Sequence, residues 1–327
     1  MKTLSIEEYY QGILNGNRSM LSKSITLIES TNPNHHELSQ ALIEKCIPHS
    51  GLSYRIGISG VPGVGKSTFI EALGLFLIEK EQKKVAVLAI DPSSNKTGGS
   101  ILGDKTRMNR LSVQENAFIR PSPSSGVLGG VARATRESII LCEAAGYDTI
   151  LIETVGVGQS EIEVKEMVDF FLLLMLAGAG DELQGIKRGI MEIADAIVIN
   201  KADGNNEVPA KNAAQDYKNA LHLFPANENG WIPRVELCSA IEHRNIDQVW
   251  KIMDDYFRSM HANGFFENTR RNQSKFWLKH AIESQLSTLF YTHPQVKEQL
   301  KTIETEVVSG KLSPVKAASL LLELFKN

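Results

Sequence analysis

Cysteine is scarce in this chain, with only 3 in 327 residues, at Cys46, Cys142 and Cys238, and none in a Cys-x-x-Cys pair. An odd, widely spaced set excludes a disulfide framework and a zinc site and leaves reduced, structural thiols as the expected state. Long apolar runs are also missing. The longest, residues 170–177, falls far short of the roughly 20 residues that a membrane-spanning helix needs. The amino terminus carries no apolar stretch of the secretory type. The chain therefore reads as cytoplasmic, or as a mitochondrial-matrix protein if a targeting segment has been removed, with no membrane partner. The Asn-x-Ser/Thr matches at Asn17, Asn95 and Asn272 then carry no glycosylation meaning. A large excess of either charge is missing as well. Lys plus Arg number 35 against 38 Asp plus Glu, a formal net charge of -3, so nothing points to a nucleic-acid partner. There is no internal repeat, and the length suits one large α/β domain with extensions.

Residues 54–239 alternate short β-rich runs with helical stretches, the pattern of a doubly wound, mostly parallel sheet. The runs are 54–59, 84–90, 117–120, 149–153, 169–176, 196–200 and 234–238, and their unbroken apolar character suits strands covered on both faces. Before them, Ile6, Tyr9, Ile13, Leu21, Ile25 and Ile28 recur at helical spacing. After them come three helical segments at 272–290, 294–309 and 313–325, the last opened by Ser313-Pro314 as N-cap and first turn. The organisation expected is an N-terminal helical arm over 1–50, a nucleotide-binding domain over 51–262 and a C-terminal helical segment over 263–327. Val296, Leu300, Ile303 and Val307 form a stripe that packs either on its own domain or on a second subunit.

The chemistry is concentrated at the ends of the strands. Gly60, Val61, Pro62, Gly63, Val64, Gly65, Lys66, Ser67 and Thr68 lie between an apolar run and a helix-compatible stretch, where a phosphate-cradling loop belongs. Glycines let the backbone N–H groups wrap a polyphosphate, Lys66 supplies a mobile cation, and Ser67 offers its hydroxyl to Mg²⁺. Asn200, Lys201 and Asp203 follow a later strand. An aspartate there accepts bonds from the N1–H and exocyclic amine of guanine, and charge-assisted bonds contribute about 1.5–3 kcal/mol each, so GTP is expected over ATP. Ser239-Ala240, after the next run, places a backbone N–H at the guanine carbonyl.

Glu153 ends another strand and is followed by Gly156. A carboxylate at this point organises Mg²⁺, here through a bound water because glutamate is long, and the glycine swings toward the γ-phosphate. Asp91 and Asp104 bracket a glycine-rich stretch, which suits a switch loop ordered by triphosphate. The stretch from Gly178 to Arg188, with Gln184 and Lys187 within it, is a second such loop. Arg107, Arg133, Arg136 and Arg188 are open candidates for stabilising transition-state charge.

Taken together, GVPGVGKST from Gly60, AIDPSS and TGGSILGDKTRM up to Met108, ETVGVGQSE from Glu153, AGAGDELQGIKRGI from Ala177 and NKADG from Asn200 closely resemble the methylmalonyl-CoA mutase-associated G-protein chaperones. Members of this family have also carried the label of amino-acid transport kinase. The resemblance implies a homodimeric, Mg²⁺-dependent GTPase that cycles between GTP and GDP and binds an adenosylcobalamin-dependent acyl-CoA mutase. It implies gating of cofactor loading and removal of damaged cofactor, without cobalamin bound by this chain itself. It also assigns Lys66 and Ser67 to phosphate and Mg²⁺, and Asp91, Asp104 and Glu153 to the metal and water network. Gln184 and Lys187 fall in the family's additional switch. Three other readings compete: a nickel-insertion GTPase, a kinase of amino-acid transport components and a non-hydrolysing scaffold. The first lacks a His-rich tail or Cys-Pro-Cys relay, and the second lacks the His-Arg-Asp and Asp-Phe-Gly sets.

Overall fold

The computed structural model describes residues 4–30, 32–91, 108–123, 128–154, 160–178, 188–225 and 227–326. Two compact units emerge, Met1–Arg270 and Arg271–Asn327. The first is built on a seven-stranded parallel sheet in the order β3-β2-β4-β1-β5-β6-β7. Its strands are β1 (Tyr54–Gly60), β2 (Val85–Asp91), β3 (Ala117–Pro123), β4 (Thr149–Glu153), β5 (Phe170–Leu176), β6 (Ala196–Asn200) and β7 (Arg234–Leu237). All seven expected runs form strands, within a few residues at their ends.

The helices of this unit are α1 (Ile6–Leu14), α2 (Arg18–Glu29), α3 (Pro33–Cys46), α4 (Lys66–Glu79), α5 (Asn109–Ser112), α6 (Leu128–Ala144), α7 (Ser160–Lys165), α8 (Arg188–Glu192), α9 (Glu207–Leu221) and α10 (Ile246–Ala262). One sheet face meets α4 and α10 in a core that takes alternate strand residues, including Ile56, Ile58, Val87, Leu172 and Val198. Helix α10 fits because Ile246, Val249, Trp250, Met253, Tyr256, Phe257 and Met260, all buried, recur at three- and four-residue spacing. Each such side chain contributes about 1.5–3 kcal/mol on burial. Helices α6 and α7 lie on the other face, and α1, α2 and α3 pack on α6. The amino-terminal helices thus form a layer outside the sheet.

At the amino ends of β1 and β5 the core holds charge. Glu143 of α6 accepts bonds from Arg55 Nε (2.9 Å), Ser53 Oγ (2.6 Å) and the Gly51 N–H (2.7 Å). Asp169 receives the Arg55 N–H at 2.8 Å and the Arg270 guanidinium at 2.7 Å.

Helix α11 (Phe265–Thr292) runs on into the second unit, which also holds α12 (Pro294–Val308) and α13 (Pro314–Lys326). Ser313 caps α13 as its sequence predicts, with its hydroxyl accepting from the Lys316 N–H at 3.3 Å. The stripe on α12 turns inward. Val296 is fully buried and Leu300, Ile303 and Val307 are half-buried, on a helix that packs against α13. A different apolar row faces out: Leu278, Ile282, Leu286 and Leu289 on α11 are about half exposed or more.

Candidate functional site

The chain leaves β1 for β2 on one side of the sheet and returns through β4 to β5 on the other, which opens a crevice at the carboxyl ends of the central strands. Register brings the expected residues to that rim. Ile58 pairs with Glu153, Ala89 pairs with Glu153 from the other side, and Leu176 pairs with Asn200.

The loop after β1 needs glycine at two positions for identifiable reasons. A Cβ on Gly60 would sit 2.4 Å from the Leu174 carbonyl oxygen of β5, and one on Gly65 would sit 2.9 Å from Asn200 Nδ2. Gly65 also has φ 91° as the residue that opens α4, a left-handed conformation that other residues rarely adopt. No side chain caps α4 there, and the start of a helix carries partial positive charge and outward-facing amides. Lys66 Nζ lies inside the loop, donating to the carbonyls of Gly60 (2.7 Å) and Val61 (3.3 Å). Pro62, Gly63 and Thr68 are exposed, while Val64 is fully buried in the core. Val64 contributes its backbone to the loop and its side chain to packing.

Ser67 Oγ donates to Glu153 Oε1 at 3.1 Å. This hydroxyl and carboxylate, half-buried at the rim, form the hard-oxygen set that suits Mg²⁺. Asp91 ends β2, and its backbone pairs with Pro123 at the same rim. Asp104, Gly156, Gln184, Lys187 and Arg107 lie outside the described residues. Arg188 opens α8. Arg133 is engaged along its own helix, with Nη1 3.0 Å from Glu137 Oε2.

At the other end of the crevice Asn200 acts as a strut. It is 1% exposed; its Nδ2 donates to the Val64 carbonyl at 2.8 Å, and its Oδ1 accepts from the Ala240 N–H at 3.2 Å. The phosphate loop and the Ser239-Ala240 loop are thereby fixed to one strand end. The Ala240 N–H, expected at a guanine carbonyl, is directed at Asn200, and the Ser239 N–H is bonded to the Arg244 carbonyl. Lys201, with φ 57°, lays its chain over the phosphate loop so that Nζ reaches the Gly63 carbonyl at 2.8 Å. Asp203 is half-buried and accepts from Ser239 Oγ at 2.5 Å. Nearby, burial pushes the Cys238 thiol up to about 12, so it is a packing group and not a nucleophile. Arg244 is the residue of this cluster that carries no motif signature. Its partner Ala202 stands 42 positions away, a pairing that spacing alone does not reveal.

A family model described as methylmalonyl Co-A mutase-associated GTPase MeaB matches residues 21–295. A probable GTPase of Mycobacterium tuberculosis is 50% identical over 309 residues, covering 94% of this chain and 92% of that protein. The mitochondrial methylmalonic aciduria type A homolog of Mus musculus is 47% identical over 332 residues, covering 98% of this chain and 80% of its own. Among solved structures, a crystal structure of LAO/AO transport system kinase is similar at 39% identity and a TM-score of 0.78, over 98% of each chain.

Proposed function

The chain belongs to the methylmalonyl Co-A mutase-associated GTPase family, and on that premise we propose that it is a Mg²⁺-dependent GTPase that gates adenosylcobalamin loading of an acyl-CoA mutase and protects or reactivates that enzyme. Methylmalonyl-CoA mutase is the first candidate partner. The observation that supports the nucleotide reading is the convergence of Lys66, the Ser67–Glu153 pair and the Asp203–Ser239 pair on one rim of the sheet.

In this reading the triphosphate lies along the start of α4, with backbone amides and Lys66 taking its oxygens. Ser67 and Glu153, joined by Asp91 and Asp104, would hold Mg²⁺, which when bound would supply positive charge to the phosphates. Asp203 orients the base by accepting from two donors that adenine does not present together. Gly156, Gln184 and Lys187 belong to the segments that respond to the γ-phosphate. Cobalamin stays with the mutase, and the chain works in whichever compartment, cytoplasm or mitochondrial matrix, holds that enzyme. The exposed row on α11 supports a homodimer.

Base recognition is testable by calorimetry with GDP, ADP and xanthosine diphosphate. The wild-type protein should prefer GDP to ADP by at least about a hundredfold, as two charge-assisted bonds imply. Asp203→Asn should reverse the preference toward xanthosine diphosphate, whose base carries an acceptor where guanine carries its amine. Equal affinity for GDP and ADP in the wild type would contradict the reading.

A further inference from the structure

Ala202, the residue before Asp203, is held on both its backbone groups by residues 238–244, of which the motifs name only Ser239 and Ala240. The N–H of Ala202 donates to the Cys238 carbonyl at 2.9 Å, and its carbonyl accepts from Arg244 Nη2. Ser239 and Arg244 exchange both backbone hydrogen bonds, at 3.1 and 3.0 Å. The loop between them is tightened by the Glu242 N–H on Ser239 Oγ at 3.2 Å and by His243 at φ 54°. Arg244 Nη1 donates to Glu207 Oε1 at 2.7 Å, at the first residue of α9, and its Nε stands 3.8 Å from Glu242. One planar fork therefore ties residue 202, residue 207 and the Ser239 loop together.

The Arg244 and Glu207 side chains are 40% and 44% exposed, and an ion pair so open to water adds little to stability. Its value is geometric. A carboxylate that reads two donors at once must present both oxygens in the plane of the base, and hydrogen bonds weaken steeply when misaligned. Ser239 sets one side of the Asp203 carboxylate, and the orientation of the preceding peptide sets the direction from which the side chain leaves.

We propose that Arg244 is a specificity-positioning residue, which holds the Ala202–Asp203 peptide so that the Asp203 carboxylate meets both donors of a guanine edge. The inference rests on the guanine reading above. Without Arg244 the peptide is free to tilt, and the paired contact collapses toward a single bond. A base that lacks the exocyclic amine, hypoxanthine, has less to lose.

The test is calorimetric affinity for GDP, inosine diphosphate and ADP in the full chain and in Arg244→Ala, Arg244→Lys and Glu207→Gln, with thermal midpoints measured alongside. In Arg244→Ala the GDP affinity should fall about tenfold, the loss of roughly one charge-assisted bond, with inosine diphosphate falling by much less. The ratio between the two nucleotides narrows accordingly. Arg244→Lys, which keeps the charge and its N–H donors but not the planar fork, should restore part of that ratio. Glu207→Gln, which leaves the bond to Ala202, should narrow it least. Equal weakening for both nucleotides together with a lower thermal midpoint would show a merely structural role and overturn the inference, as would an unchanged ratio. A wild-type protein that fails to separate GDP from ADP would overturn the guanine reading itself.

Discussion

Asn200, expected from the sequence at the nucleotide, also ties two loops of the site to the end of β6. Its amide closes on the Val64 carbonyl and receives the Ala240 N–H in a buried setting, so Asn200→Ala leaves two buried backbone groups without their partner. Each such group costs about 1–3 kcal/mol. Denaturant unfolding of Asn200→Ala should accordingly show a loss of roughly 2–6 kcal/mol, and GDP affinity should fall with it because the phosphate loop and the Ser239 loop are no longer held to the same strand. Asn200→Asp should not rescue, since a carboxylate has no donor for the Val64 carbonyl.

Among the elements, the strands and the site were legible for different reasons. Buried parallel strands must be apolar on both faces, so 149–153 and 196–200 declare themselves as unbroken runs and coincide with β4 and β6. The positions of Lys66, Ser67, Glu153 and Asp203 at the rim were legible because each stands at or just beyond the end of an apolar run that forms a strand. The charged cluster at the opposite ends of the strands was not legible. Arg55 and Glu143 stand 88 positions apart, and Arg270 and Asp169 stand 101 apart, so only the finished fold introduces them. Burial alone would push the Glu143 carboxyl up, but the Arg55 charge and the bonds from Arg55, Ser53 and Gly51 outweigh it and hold the carboxyl below its ordinary range. A carboxylate lowered on folding contributes stability that is fully present above its unfolded value and is lost as pH falls through its folded one. Acid unfolding of the wild type should therefore show a component below the ordinary glutamate range that is absent in Glu143→Gln. At neutral pH the variant should be less stable by about 3–5 kcal/mol, the cost of breaking a buried pair; matching acid profiles for the two proteins would contradict this.

The whole molecule raises the question of what covers α11. The inward stripe on α12 satisfies its own unit, whereas Leu278, Ile282, Leu286 and Leu289 repeat every three to four residues on an exposed face, a seam that suits a second copy of the chain. Sedimentation should find a dimer, and Ile282→Glu combined with Leu286→Glu should shift it to monomer while leaving nucleotide affinity in place. A wild-type monomer at micromolar concentration would contradict the proposed assembly.

The central claim, that nucleotide turnover at this rim serves a cobalamin-dependent mutase, is tested most directly by phosphate release from GTP in the presence of Mg²⁺, with and without an adenosylcobalamin-dependent acyl-CoA mutase in its cofactor-free and cofactor-loaded forms. The expected result is slow release by the chain alone, acceleration by the mutase that differs between its two forms, and loss of turnover in Lys66→Ala. Turnover indifferent to either form of every mutase tried would contradict it.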